Sequence, residues 1–321
     1  MRRLTVLAIA LVLVPVASAR TSAVRPVGIV VAETANQVIA VSLGPHGGRV
    51  LKRVHVVDPL MVAAPLHGPA VVLSPATGTV TLLAWHSLRT LKVFHGFRDP
   101  TVARVAPGDR FVYVDDGRTG DLTVIDLVRQ RLVDRLHVGA GAHHMAFTPD
   151  GKRLWIALSE VATTVVRLDT SNLARPRVVG RLHPHFPGHS VGVAPDGRTF
   201  WLSSAQEPYV MVYSAATAKL VKLIPAGRAP QEVGFSGARA LLTSGYGSSI
   251  EAVLWRTYRK VGSVSMPYGS FNLATYDGNV VTSSLLDGQI TELDAGTLHR
   301  FWSVKVAPET RYVAISLWPS R

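Results

Sequence analysis

The sequence predicts an all-β chain closed into a seven-bladed β-propeller of four-stranded blades, and three observations lead there. A turn followed by alternating apolar residues, the pattern of a half-buried strand, recurs seven times. Its first apolar anchor falls at Val38, Val80, Leu122, Val165, Val210, Ile250 and Ile290, 40 to 45 residues apart. That is the spacing of one four-stranded propeller blade. A second repeat, a short strand, a turn and another strand, runs out of phase with the first. A strand-like stretch at residues 310 to 318 is left over at the far end.

Taken in chain order, residues 1 to 19 have the basic, apolar, small-x-small order of a secretory signal. Arg2 and Arg3 precede the apolar run Leu4 to Val16, and Ala17-Ser18-Ala19 offers cleavage after Ala19. The run is short for a bilayer span, which needs roughly 20 residues, and no later segment is long and uncharged enough to be one. The domain expectation is a signal at 1–19 and a propeller over 20–321, exported to the periplasm, cell envelope or medium.

Residues 27 to 56 supply outer strands before any inner strand appears. The second repeat then gives inner hairpins. Its clearest copies, Phe147-Thr148-Pro149-Asp150-Gly151 and Val193-Ala194-Pro195-Asp196-Gly197, place Gly where a tight turn needs positive φ and Asp where a side chain caps it. Asp150, Asp196 and Asp277 are read as turn residues. The leftover C-terminal strand is expected to complete the first blade, which removes open edges and ties down the end of the chain.

Composition agrees. The 321 residues include 27 Gly and 20 Pro with 47% apolar and 17% charged residues, a turn-rich globular balance that excludes intrinsic disorder. There is no Cys, hence no disulfide, thiol nucleophile or thiolate metal site. The chain carries 34 Lys and Arg against 21 Asp and Glu, formally +13. Loss of Arg2 and Arg3 with the signal leaves +11. No run of five like charges occurs, so no nucleic-acid arm is visible; weak adhesion to a cell-envelope polyanion is what the charge allows.

The stretches Phe147-Thr148-Pro149-Asp150-Gly151-Lys152-Arg153-Leu154-Trp155-Ile156, Val193 to Trp201, Phe111 to Asp115 and Leu122 to Asp126 resemble the bacterial YVTN-type repeat propellers. That group is related to lactonase-like and nitrous-oxide-reductase-like propellers. The resemblance covers nearly the whole mature chain and implies the fold. It implies no one activity, because this fold hosts unrelated functions, and no stretch matches a complete lactonase or copper-cluster motif.

Histidine is the most suggestive chemistry. Aligned on the repeat, His143 matches His189, Gln231, Phe271 and Thr101. His143, His144, His189, Gln231 and Asn272 are therefore expected at one mouth of the central channel as the ligand-binding patch. His143, His144 and His189 are candidate ligands for Zn or Cu; a hydrated polar mouth without metal is the expected state, and no cofactor is predicted. Asp115, Asp116 and Asp121 lack the spacing of a calcium loop and read as a turn. No Gly-x-Ser-x-Gly nucleophile elbow occurs, and no phosphate-binding Gly loop precedes a helix.

The function expected is an exported, monomeric, non-enzymatic propeller that binds a protein or small-molecule ligand through its loop face and channel mouth. One alternative is a lactonase-like or metal-dependent hydrolase with a His-rich site there. The other is polyanion or nucleic-acid binding through the basic surface.

Overall fold

The computed structural model describes residues 24–320 apart from Ala205, so the expected signal at 1–19 lies outside the described residues. These residues form seven four-stranded antiparallel sheets and no helix. No helix among them is long and apolar enough to cross a membrane. Six blades follow chain order from inner to outer strand. The first is completed from both ends: Thr310–Pro319 is its inner strand and pairs with Val24–Ala32 from Val24 opposite Pro319 to Ala32 opposite Thr310. The expected seven-bladed count and C-terminal closure are both observed.

The recurring anchors are Val38, Val80, Leu122, Val165, Val210, Ile250 and Ile290, all fully buried in the third strands of the seven blades. Alternation buries both faces of these strands because each blade is packed on both sides. Every third-to-fourth strand pair also carries a register shift, as between Val124 and Ile125. Such a bulge increases the local twist, here in the outer strand of every blade.

Adjacent blades are joined by aromatic contacts. Trp155 stacks on Phe200 at 4.0 Å, and Trp201 meets Phe235 edge to face at 5.5 Å. At Gly192 the blades come so close that a Cβ would lie 2.6 Å from the Val233 carbonyl oxygen, which requires glycine there. The inner hairpins turn as expected: Gly151 and Gly197 have φ of 68° and 69°, and the Asp150 carboxylate accepts from Thr148 Oγ1 and Lys152 N.

The inner strands stand in register around the axis. Paired through their second strands, Val62, Ala103, Met145, Val191, Val233, Leu273 and Val313 occupy one layer. The next layer is Ala63, Arg104, Ala146, Gly192, Gly234, Ala274 and Ala314. Its small side chains leave the axis open.

Candidate functional site

The axis holds a cavity of about 510 Å³. Its walls are chiefly apolar, with Met61, Phe147, Val191, Phe235, Leu273 and Val313 among them. Three polar side chains, His144, Glu232 and Tyr312, define one end, and Arg104 reaches in from the following layer. At the other end the lining runs out to Leu66, Pro107, Asp109 and Pro149, in the turns that join the first and second strands. His144, Glu232, Tyr312 and Arg104 thus gather at one end, with Asp109, Thr148 and Thr275 as the other polar side chains of the lining.

Arg104 Nη2 lies 3.7 Å from Glu232 Oε1, and its Nε donates to the Met145 carbonyl at 3.1 Å. Glu232 Oε2 accepts from Leu273 N at 3.2 Å. Burial raises the Glu232 pKa and the Arg104 charge works against that rise. Burial and the charge of Glu232 raise the Tyr312 pKa. The His144 ring is buried and forms no hydrogen bond among the described residues; burial, then neighbouring His143, hold its pKa well below the ordinary value. His144 is therefore held toward the neutral imidazole form beside the cavity.

The structure brings His143, His144 and His189 together, with ring centroids 4.4 Å apart for His143 and His144, 4.5 Å for His144 and His189, and 6.2 Å for His143 and His189. His189 Nδ1 donates to the Glu160 carbonyl at 3.0 Å. His143 Nε2 is 3.8 Å from Glu160 Oε1, and its Nδ1 is buried without a partner. Burial, reinforced by His189, pushes the His143 pKa down to about 4. The closest rings meet edge to face. Among the described residues no group of three or more His, Asp or Glu side chains is arranged to hold a metal ion.

Of the five residues expected at the mouth, His144 alone lines the cavity. His143 is the neighbour of His144 on its strand, and His189 lies two residues before the strand Val191–Val193. Gln231 and Asn272 are buried in the blade entries, where their carbonyls accept from Ser203 Oγ and Thr282 Oγ1. Sequence reasoning missed Arg104, Glu232 and Tyr312. The available signal was Arg104, a lone cation in a layer otherwise made of Ala and Gly.

Asp115, read from sequence as part of a turn, is instead fully buried at the end of a second strand. Its Oδ1 accepts from Thr101 N, Thr101 Oγ1 and Val102 N, and its Oδ2 has no partner. In the same register position Ser203, Thr243 and Ser283 donate to the carbonyls of Gln231, Phe271 and Arg311 in the next blade. Burial raises the Asp115 pKa well above the usual carboxylate range, toward the protonated form, which is a donor as those hydroxyls are.

A family model for the cytochrome D1 heme domain matches residues 67–272, more than half of the chain. The chain belongs to the cytochrome D1 heme domain family. The resemblance expected from sequence thus holds for the propeller, while the family match names cytochrome D1 heme domains and not YVTN repeats. A comparison with curated protein sequences found no match.

Solved structures similar to this family member include a functionally unknown protein from Desulfotomaculum acetoxidans DSM 771, at 13% identity and TM-score 0.79, covering 92% of this chain and 99% of that one. A candidate 6-phosphogluconolactonase from Bacteroides uniformis ATCC 8492 has 15% identity and TM-score 0.76, over 91% and 99%. The dihydro-heme d1 dehydrogenase NirN, in complex with DHE, has 16% identity and TM-score 0.64, over 88% of this chain and 64% of that one. At such identities the likeness concerns the fold.

Proposed function

We propose that the protein binds, without turning over, a small amphipathic molecule that places one carboxylate at the Arg104, His144, Glu232 and Tyr312 end of the axial channel. One observation carries the reading: four polar side chains, Arg104, His144, Glu232 and Tyr312, converge at one end of a cavity whose other lining side chains are mostly apolar. An apolar pocket with a few convergent polar groups is the usual form of a small-molecule site. Arg104 meets Glu232 at 3.7 Å rather than in a close hydrogen-bonded pair, which leaves guanidinium donors for a ligand carboxylate. The lining contains no serine, and the Thr275 hydroxyl is committed to the Phe235 carbonyl, which favours binding over covalent turnover. With the signal expected at 1–19, the ligand is met outside the cytoplasm.

The test is calorimetry with decanoate. A charge-assisted hydrogen bond contributes about 1.5–3 kcal/mol, so Arg104→Met combined with Glu232→Gln should weaken decanoate roughly tenfold or more. His143→Gln, outside the cavity, should leave the affinity unchanged. Decanol should bind both proteins alike. Equal decanoate affinity in the wild type and the double variant, or no binding to either, would refute the reading.

The family match raises haem as a second candidate, and the lining does not fit it. His144 would be the residue to offer a haem iron a nitrogen ligand, but a haem also brings carboxylates. The lining offers them one cation, Arg104, already opposite Glu232, together with a second acid, Asp109. Titration with hemin should therefore give no saturable Soret shift. A shift that saturates in the wild type and disappears in His144→Ala would reverse this conclusion.

A further inference from the structure

The excess of positive charge is not spread evenly over the molecule. The seven outermost strands, Val50–His55, Thr90–His95, Arg131–His137, Arg177–Leu182, Leu220–Pro225, Arg259–Ser265 and Arg300–Lys305, carry twelve Lys and Arg against one acid, Asp134. Every outer strand has at least one cation, and all twelve cations are exposed. The third strands just inside show the reverse, six acids against Arg167 alone. Three of those acids, Asp126, Glu251 and Glu292, are buried. Among the described residues only Arg177 and Lys260 of the twelve are ion-paired, with Asp169 and Glu251.

Several of these cations lie across blade boundaries. Arg53 Nη2 donates to the Val306 carbonyl, Arg181 Nη2 to that of Val138 and Arg300 Nη2 to that of Ser265, each at the end of the preceding blade's outer strand. The result is a positive belt around the rim, with at least one exposed cation on each of the seven outer strands. Single charges on strand edges are a common device against edge-to-edge aggregation, and charge of either sign would serve that end. One sign on all seven edges creates a field that attracts polyanions.

We propose that this belt is the binding surface for a flexible, base-free polymer of phosphate groups. Arg and Lys are the usual phosphate partners. The aromatic residues of the outer strands, Phe94, Phe301 and Trp302, are buried or half-buried and so form no stacking platform for bases of the kind that single-stranded nucleic acids use. All described strands belong to blades, leaving no helix or free ribbon to enter a duplex groove. A duplex with a persistence length of about 150 base pairs cannot follow a convex rim at low cost, whereas a flexible chain can. This surface is separate from the axial channel and stands independently of the reading proposed for it.

The test uses the full mature chain and fluorescently labelled long-chain inorganic polyphosphate, with affinity measured by anisotropy. Between about 50 and 200 mM salt the affinity should fall at least tenfold, the signature of multiple phosphate contacts. A belt variant, Lys52→Gln, Lys222→Gln, Arg259→Gln and Lys305→Gln together, should bind about tenfold more weakly with an unchanged melting temperature. An off-belt variant that loses the same charge, Arg118→Gln, Lys152→Gln, Arg198→Gln and Arg228→Gln, should remain within about twofold of the wild type. Equal weakening in the two variants would make the effect one of net charge and overturn the belt. Tighter binding of duplex DNA than of polyphosphate of matched charge, or no binding of polyphosphate, would overturn the assignment of partner.

Discussion

A chain ending at Glu309 is expected to yield no soluble folded monomer. The missing strand Thr310–Pro319 is the inner strand of the first blade and buries Val313, Ile315 and Trp318. At about 1.5–3 kcal/mol for each large apolar side chain, these three contribute on the order of 5–9 kcal/mol. A typical domain has only about 5–15 kcal/mol of net stability. The loss is wider than these side chains. The Leu317 carbonyl accepts from Trp85 Nε1 in the second blade at 3.0 Å, and Val24–Ala32 would become an open edge facing the axis, a template for aggregation. Size-exclusion chromatography and thermal melts of the truncated and full chains decide the point. A truncated monomer with the full chain's melting temperature would show that closure through the C-terminal strand is dispensable.

Blade count and closure were legible because they depend on local rules. A period-two apolar pattern ending in Pro-Asp-Gly has few alternatives, and a strand left over at one end has one empty place to go. The candidate site was less legible. Repeat alignment puts His143 and His144 at the same mouth, but one residue along a strand turns the side chain to another face, and only His144 enters the cavity. Glu232 follows Gln231, so the expectation named the neighbour of the acid that lines the cavity. Tyr312 belongs to the closing strand, whose neighbours on the axis come from the whole ring. The belt was the least visible feature. Its cations stand singly or in pairs about one blade apart in the sequence, and only the ring places them side by side.

Acidification should destabilise the protein through its imidazole cluster. The His143 pKa falls from 6.5 to about 4 in the folded state, and those of His144 and His189 are also lowered, in both cases chiefly by burial. A lowered imidazole pKa means that the unfolded chain takes up the proton first. Stability from this source is therefore complete above pH 6.5 and lost as the pH falls toward 4. His143 alone accounts for about 3 kcal/mol over that window, and His144 adds to it in the same sense. Asp115 and Glu232 act in the opposite direction, because their raised pKa values let the folded state take up protons before the unfolded one. The histidine contribution must therefore be read as a difference between two proteins. Guanidinium unfolding at pH 7 and pH 4.5 should show the wild type losing about 3 kcal/mol more than a variant carrying His143→Gln, His144→Gln and His189→Gln. Parallel pH profiles for the two would mean that the three imidazoles take up protons in the folded protein as readily as in the unfolded chain, and that the cluster above the cavity is open to water.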